Sequence, residues 1–499
     1  MKKTYIDTAM ERIAPDLILK GGNVVDVFSG RVIKADVIIK DGIICGVGSY
    51  SGENEQDVSG KYVMPGFIDS HVHIESSMTQ PSEYAKAVMP HGITTVIADP
   101  HEITNVCGED GLEFMLKSAK NIPLDVNLML PSCVPATPFE HTGANLDAKT
   151  TQKLAPKFFG IGEMMNYPGI VSGDDETLGK LCLDIIDGHA PLLSGHELDA
   201  YTSAGIKTDH ECSVVEEMTE KISKGMYILL REGTLSLDVA KLIKGVTPYT
   251  LRRCAFCTDD RFVGEIIRDG SIDHCIRKAV SLGLNNIDAI IMATLNACEM
   301  YGMKNKGAIA PSYVADIVVA DDLNLSSISQ VYKNGKLVCE NGTALFECET
   351  VDNSKVTNTV HLPKISADFF KTDVKDKFDA IELIPESIIT KKVTVSYSDS
   401  LSKVCVIERH HNLGTKGIGF VTNYGITNGA IATSIGHDSH NVIVIGDNDS
   451  DMALAVNTLG TSGGIAVCSE GKVIASMTLD IAGLMSVKSA DEVTREHDN

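Results

Sequence analysis

Eight apolar, β-like runs recur between residues 66 and 260, with helical stretches between them, and this alternation leaves the middle of the chain few possible folds. The runs end at His71, Asp99, Leu130, Glu163, His189, His210, Glu232 and Asp259. Helical candidates lie between them, such as 214–224 and 235–244, where apolar residues recur at spacings of three and four. Eight strands alternating with helices predict a (β/α)8 barrel over residues 61–304, with a doubly wound open sheet as the alternative.

The flanks read differently. Residues 1–60 carry short strand patterns, and Asp41-Gly42 between two apolar runs signals a hairpin turn. A similar pattern returns over 305–350, with Asn334-Gly335 as its turn. The two β-rich pieces are expected to join as one small composite β domain of sandwich type. Residues 351–390 are polar and read as a connection, and a third segment, 391–499, is expected to form a C-terminal α/β domain.

Composition narrows the function classes. A net charge of −23 opposes binding of nucleic acid or an anionic membrane through bulk electrostatics. No apolar run approaches membrane-spanning length, and the N-terminus has no signal-peptide core. The 13 cysteines are scattered without a framework, so reduced thiols in a cytoplasm are expected.

In an α/β barrel the working side chains come from the C-terminal ends of several strands. Those ends carry His71 and His73, then Asp99 with His101 and Glu102, then Glu163, His189, His210, Arg231 with Glu232, and Asp259 with Asp260. Two residues apart on a strand, His71 and His73 point to one side. A ring of imidazoles and carboxylates from different strands suits a divalent first-row metal such as Mn, Fe or Zn. His101-Glu102, His196-Glu197 and His210-Glu211 lack the second His of a zinc-protease helix. Cys254 and Cys257 sit in an apolar strand at odd spacing, which points them to opposite faces and argues against a shared metal or redox role. In the third segment, His437-Asp-Ser-His440-Asn lies between two apolar runs. It reads either as a well-paired turn or as a loop that closes over the barrel mouth and holds substrate. His410-His411, beside Asn412 and Gly414, reads as surface.

PGFIDSHVHIESS, HGITTVIADPHE, GEMMNYPGI, DGHAPLL, TDHE, REGT, CTDDR and HDSHN, in this order, resemble the bacterial adenine deaminases of the amidohydrolase superfamily. The resemblance implies the metal-dependent barrel, the small β domain and the added C-terminal domain. It implies hydrolysis of adenine to hypoxanthine and ammonia in purine salvage, by a metal-activated water attacking C6. Two ions per subunit are implied, Mn first and Fe or Zn as alternatives. His71, His73, Glu163, His189, His210 and Asp259 would be the metal ligands, with Glu163 bridging. Asp259, Glu163, Asp99 and Glu102 would be catalytic, and His101, Arg231, Glu232, Asp260, His437 and His440 would bind substrate. Another amidohydrolase activity and a catalytically silent homologue are the competing readings. A homodimer is expected, and because typical members run past the position of Asn499, so is a shortened third domain.

Overall fold

The computed structural model describes residues 2–373, 376–385, 389–396 and 401–499. The eight apolar runs form eight strands: Phe67–Val72, Ile93–Ala98, Asp125–Leu130, Gly160–Met164, Ile186–Gly188, Thr208–Asp209, Tyr227–Arg231 and Cys254–Cys257. Every residue of the first, second and last of these is buried, as expected when helices cover one face of a parallel sheet and a core fills the other. Neighbours pair in parallel and in chain order. The ladder breaks once, between the fifth and sixth strands, where the Gly188 N–H donates to Thr208 Oγ1 at 3.0 Å. Val72 then bridges Asp259, so the first and last strands meet. An open doubly wound sheet would leave those two strands apart, and the fold is a TIM-barrel-like α/β fold.

Of the two helical candidates, the first forms at Val215–Ser223. The second is shorter than its periodicity predicts: only Val239–Leu242 is α-helical, followed by a 3-10 turn at Ile243–Gly245. The preceding residues fold back, with Glu232 bridged to Leu237 and Asp238 drawn to Arg231 Nε at 3.1 Å. That ion pair outcompetes helical propensity.

The two β-rich flanks meet where Tyr62–Pro65 pairs antiparallel with Ile317–Ala320. By hydrogen bonding they make one continuous nine-stranded sheet. Both expected hairpin turns form. Asp41 and Gly42 have φ of 50° and 76°, and Asn334 and Gly335 have φ of 50° and 74°, which suits a type I′ turn.

The third segment is an eight-stranded, mostly antiparallel sheet with one helix, Asp449–Thr458, against it. The expected connection over 351–390 contains more structure than its polarity suggests. Val356, Val360, Ile365 and Phe370 are buried, and Lys377–Leu383 is a strand of this sheet, paired with Thr390–Ser396. Its exposed positions, Lys377, Asp379 and Ile381, alternate along a half-exposed strand, which composition alone reads as loop. Residues 374, 375 and 386–388 of that segment lie outside the described residues. The chain finishes in a helix, Ala490–Asp498, started by a Ser489–Glu492 capping box. It returns to the barrel, where His497 packs on Phe262 with ring centroids 4.1 Å apart. Among the described residues, no helix is long and apolar enough to cross a membrane.

One buried ion cluster supports the sixth strand. Lys221 has no exposure and donates to Asp209, to Glu217 Oε1 at 2.8 Å and to the Ala190 carbonyl at 2.7 Å. Removing one partner of a buried pair strands the other charge without solvent. Lys221→Met is expected to cost about 3–5 kcal/mol, read as a lower urea midpoint; an unchanged midpoint would refute the account.

Candidate active site

The strand ends converge at one mouth of the barrel. His71 and His73 lie with their Nε2 atoms 3.1 Å apart. The His210 ring, from the end of the sixth strand, stacks on His71 at 4.1 Å. Glu163 occupies the middle of the group. Its Oε1 is 3.3 Å from His73 Nε2 and 3.9 Å from His71 Nε2, and its Oε2 is 2.5 Å from His189 Nδ1 and 3.3 Å from His210 Nε2. Burial opposes ionisation of Glu163, but His189, His210 and His73 together hold its carboxyl well below the usual carboxylate range.

Asp259 completes the ring two residues past the last strand. Its backbone is locked to the first strand, with its N–H donating to the His71 carbonyl at 3.0 Å and its carbonyl accepting from the His73 N–H at 3.2 Å. Its φ of 57° is in the left-handed region, where few side chains are found but Asp is tolerated. This conformation turns Oδ1 to within 3.1 Å of His73 Nε2 and Oδ2 to within 3.0 Å of Arg231 Nη1. Burial would raise the Asp259 carboxyl, but His73 and Arg231 hold it well below its ordinary value. The donor atoms of His71, His73 and Glu163, of His71, His210 and Asp259, and of Glu163, His189 and His210 each lie within 4.8 Å of one another. Neutral nitrogens and carboxylate oxygens at that spacing are the donor set for divalent metal ions.

A cavity of about 920 Å³ opens beside this ring, with His101, Glu102, Asp260, His437 and His440 among its lining residues. Ser76 Oγ donates to Asp260 Oδ1 at 2.5 Å. The His437–Asn441 stretch is therefore a loop over the barrel mouth and not an isolated turn. Glu102, 1% exposed, receives both histidines of the loop: His437 Nδ1 lies 2.5 Å from Oε1, and His440 Nε2 contacts Oε2. His440 Nδ1 accepts from the Gly436 N–H at 3.3 Å, so the ring proton sits on Nε2 and points at Glu102. Burial opposes ionisation of Glu102, and His437, His440 and His101 overcome it, keeping the carboxyl well below its usual range.

Three expected site residues are placed otherwise. Asp99 has no exposure and lies behind the ring, its Oδ2 accepting from the Glu163 N–H at 2.9 Å; it supports Glu163 and does not face the cavity. Glu232 is bound to Lys278 and is absent from the cavity wall, because the chain turns back after the seventh strand. Arg231 lines the cavity, but its donors are committed to Glu211, Asp238 and Asp259, so it orients Asp259. His410, read as surface, is buried and its Nε2 lies 2.8 Å from the Ser439 carbonyl.

Sequence reasoning missed Glu211 and Asp187. Glu211 grips Arg231 and lies 3.6 Å from His210 Nε2. Its place next to His210 was the available signal. Asp187 Oδ2 lies 3.6 Å from His71 Nδ1, and Asp187 Oδ1 accepts from Tyr301 Oη at 2.9 Å. Two residues before His189, on the strand Ile186–Gly188, Asp187 was also within reach of a period-two reading.

Gly162 shows how tightly the support is packed. A Cβ there would lie 2.1 Å from Asp99 Oδ2. Gly162→Ala is expected to displace Asp99, release the Glu163 backbone and lower bound metal by about 10- to 100-fold in affinity. Metal titration of the purified variant measures this, and unchanged affinity would refute it.

Residues 62–338 match the amidohydrolase family, and residues 383–499 match the adenine deaminase C-terminal domain. Adenine deaminase of Clostridium acetobutylicum is 47% identical, over 98% of this chain and 89% of its own. That of Nitratidesulfovibrio vulgaris strain Hildenborough is 44% identical, over 98% of this chain and 88% of its own. Enamidase, a solved member of the amidohydrolase superfamily, superposes with a TM-score of 0.50 at 19% identity, over 65% of this chain and 96% of the other, and speaks for the fold alone. With a barrel of the amidohydrolase kind and relatives matched along nearly its whole length, the chain belongs to the adenine deaminase family of amidohydrolases.

Proposed function

We propose that this chain hydrolyses adenine to hypoxanthine and ammonia, a purine-salvage reaction. The observation that carries it is the placement of an ionised Glu102, tied to the third segment's loop, on the same cavity wall as the imidazole–carboxylate ring.

The residues present fit divalent metal ions. His71 and His73 would hold one, His189 and His210 a second, with Glu163 between them and Asp259 completing the set; Mn is the first expectation, Fe or Zn the alternatives. Bound ions supply a nucleophile near neutral pH by lowering the pKa of a water.

The protein's own groups then handle two protons. As C6 becomes tetrahedral, electrons move onto N1, and that nitrogen must be protonated. Glu163 takes the proton released by the attacking water and hands it to N1. The hydroxyl now on C6 must lose its proton while the amine gains one. Asp259 performs both transfers, and ammonia departs as the C6 carbonyl forms. Arg231 keeps Asp259 aimed during this exchange. Glu102, as an acceptor, binds the single ring N–H of the purine, and with His101, Asp260, His437 and His440 it orients the base. Hydrogen-bonding sites of this kind reject rings whose donors do not match.

Incubation with Mn should give loss of adenine absorbance, while guanine, cytosine and hydantoin should give little change. No adenine turnover with metal bound would favour a silent homologue, and faster turnover of another ring would favour a different amidohydrolase. Asp259→Asn is expected to lower kcat by about 10²- to 10⁴-fold and to leave most metal in place by mass spectrometry. Full activity in that variant would remove the proton-shuttle role.

A further inference from the structure

Arg409, two residues past the strand Ser402–Ile407, is a cation with no exposure and, among the described residues, no carboxylate partner. A guanidinium in such a place is costly to strip of water, and burial lowers its pKa to about 10. Its hydrogen bonds go to three separate stretches of chain. Nε donates to the His440 carbonyl, Nη1 to Thr359 Oγ1 at 2.9 Å, and Nη2 to the Ala482 carbonyl at 2.9 Å.

Two of these stretches wall the cavity. His440 carries the imidazole that holds Glu102 and has a φ of 52°. Ala482, with a φ of 58°, begins the tight turn that presents Leu484 to the cavity. Gly483 in that turn has no space for a side chain, because a Cβ would lie 2.9 Å from Arg409 Nη1. One planar fork thus fixes two left-handed backbone positions on either side of it. A lysine could not do so, since its single ammonium group cannot span acceptors in three directions.

We propose that Arg409 is a positioning residue for the substrate site: it pins the His440 loop and the 481–485 turn over the barrel mouth, and through His440 it holds Glu102 in place. This rests on the adenine reading for its catalytic consequence, but not for its structural one. It makes the third segment part of the active site, through a residue that touches neither substrate nor metal.

The test uses the full chain loaded with Mn. In Arg409→Gln, hydrogen exchange should rise in peptides covering 436–441 and 481–485, with no change in those covering 67–72 and 160–164. Metal content should stay at the wild-type value, and kcat/KM for adenine should fall by about 10- to 100-fold. His440→Asn should produce a similar loss, and the double variant should be no worse than the poorer single one, because both changes break one linkage. Multiplied losses in the double variant, or wild-type kcat/KM in Arg409→Gln, would overturn the proposal. Arg409→Lys, which keeps the charge, serves if the glutamine variant does not fold, with the same loss expected. If neither folds, Arg409 is a folding residue and the proposal fails. Absence of adenine turnover in the wild type would reject the adenine reading alone, and the exchange result would still decide the role of Arg409.

Discussion

The structure depends on where one carboxylate is held. Glu163 is buried among five imidazoles, at 2.5 Å from His189, 3.3 Å from His73 and His210, 3.4 Å from His101 and 3.9 Å from His71. A lone buried carboxylate would take up a proton to escape the desolvation penalty. This one stays ionised because strands from opposite sides of the barrel bring nitrogen atoms to it, and because Asp99 fixes its backbone from behind. Only a closed barrel brings those strand ends together. The bridge from Val72 to Asp259 is therefore as much a part of the site as the imidazoles and carboxylates themselves.

A second charge arrangement joins the barrel to the third segment. Glu102 lies in the first turn of the helix His101–Lys120, which follows the second strand, and its two oxygens face His437 and His440, more than 300 residues away in sequence. Around it the packing is coupled: the Asn441 side chain donates to the His141 carbonyl at 2.9 Å, His411 Nε2 lies 3.0 Å from the Thr142 carbonyl, and the Ser486 N–H donates to the Met78 carbonyl at 2.9 Å. The third segment is seated on the barrel mouth by hydrogen bonds at several points.

Legibility followed local chemistry. Most of the barrel strands could be read because they are apolar runs bounded by polar residues, and the two hairpins because Asp-Gly and Asn-Gly favour positive φ. The helix expected at 235–244 was misread because Asp238 is committed to Arg231, a contact across space that periodicity does not register. The strand Lys377–Leu383 was missed because half its side chains face water. Within the site, residue identity placed the imidazoles, whereas direction was hidden. Asp99, Glu232 and Arg231 all lie at strand ends, yet one supports Glu163, one turns to Lys278 and one is consumed by three carboxylates.

What the sequence determined by itself was the alternation of strands, the residue types at their ends and the family motifs, because these are properties of neighbours along the chain. What only the tertiary structure decided was which carboxylates face the cavity, which stand behind it, and that the His437–Asn441 loop reaches the mouth with Arg409 buried behind it. Those outcomes depend on burial and on charges brought together from distant segments, and both arise only when the ring of strands has closed.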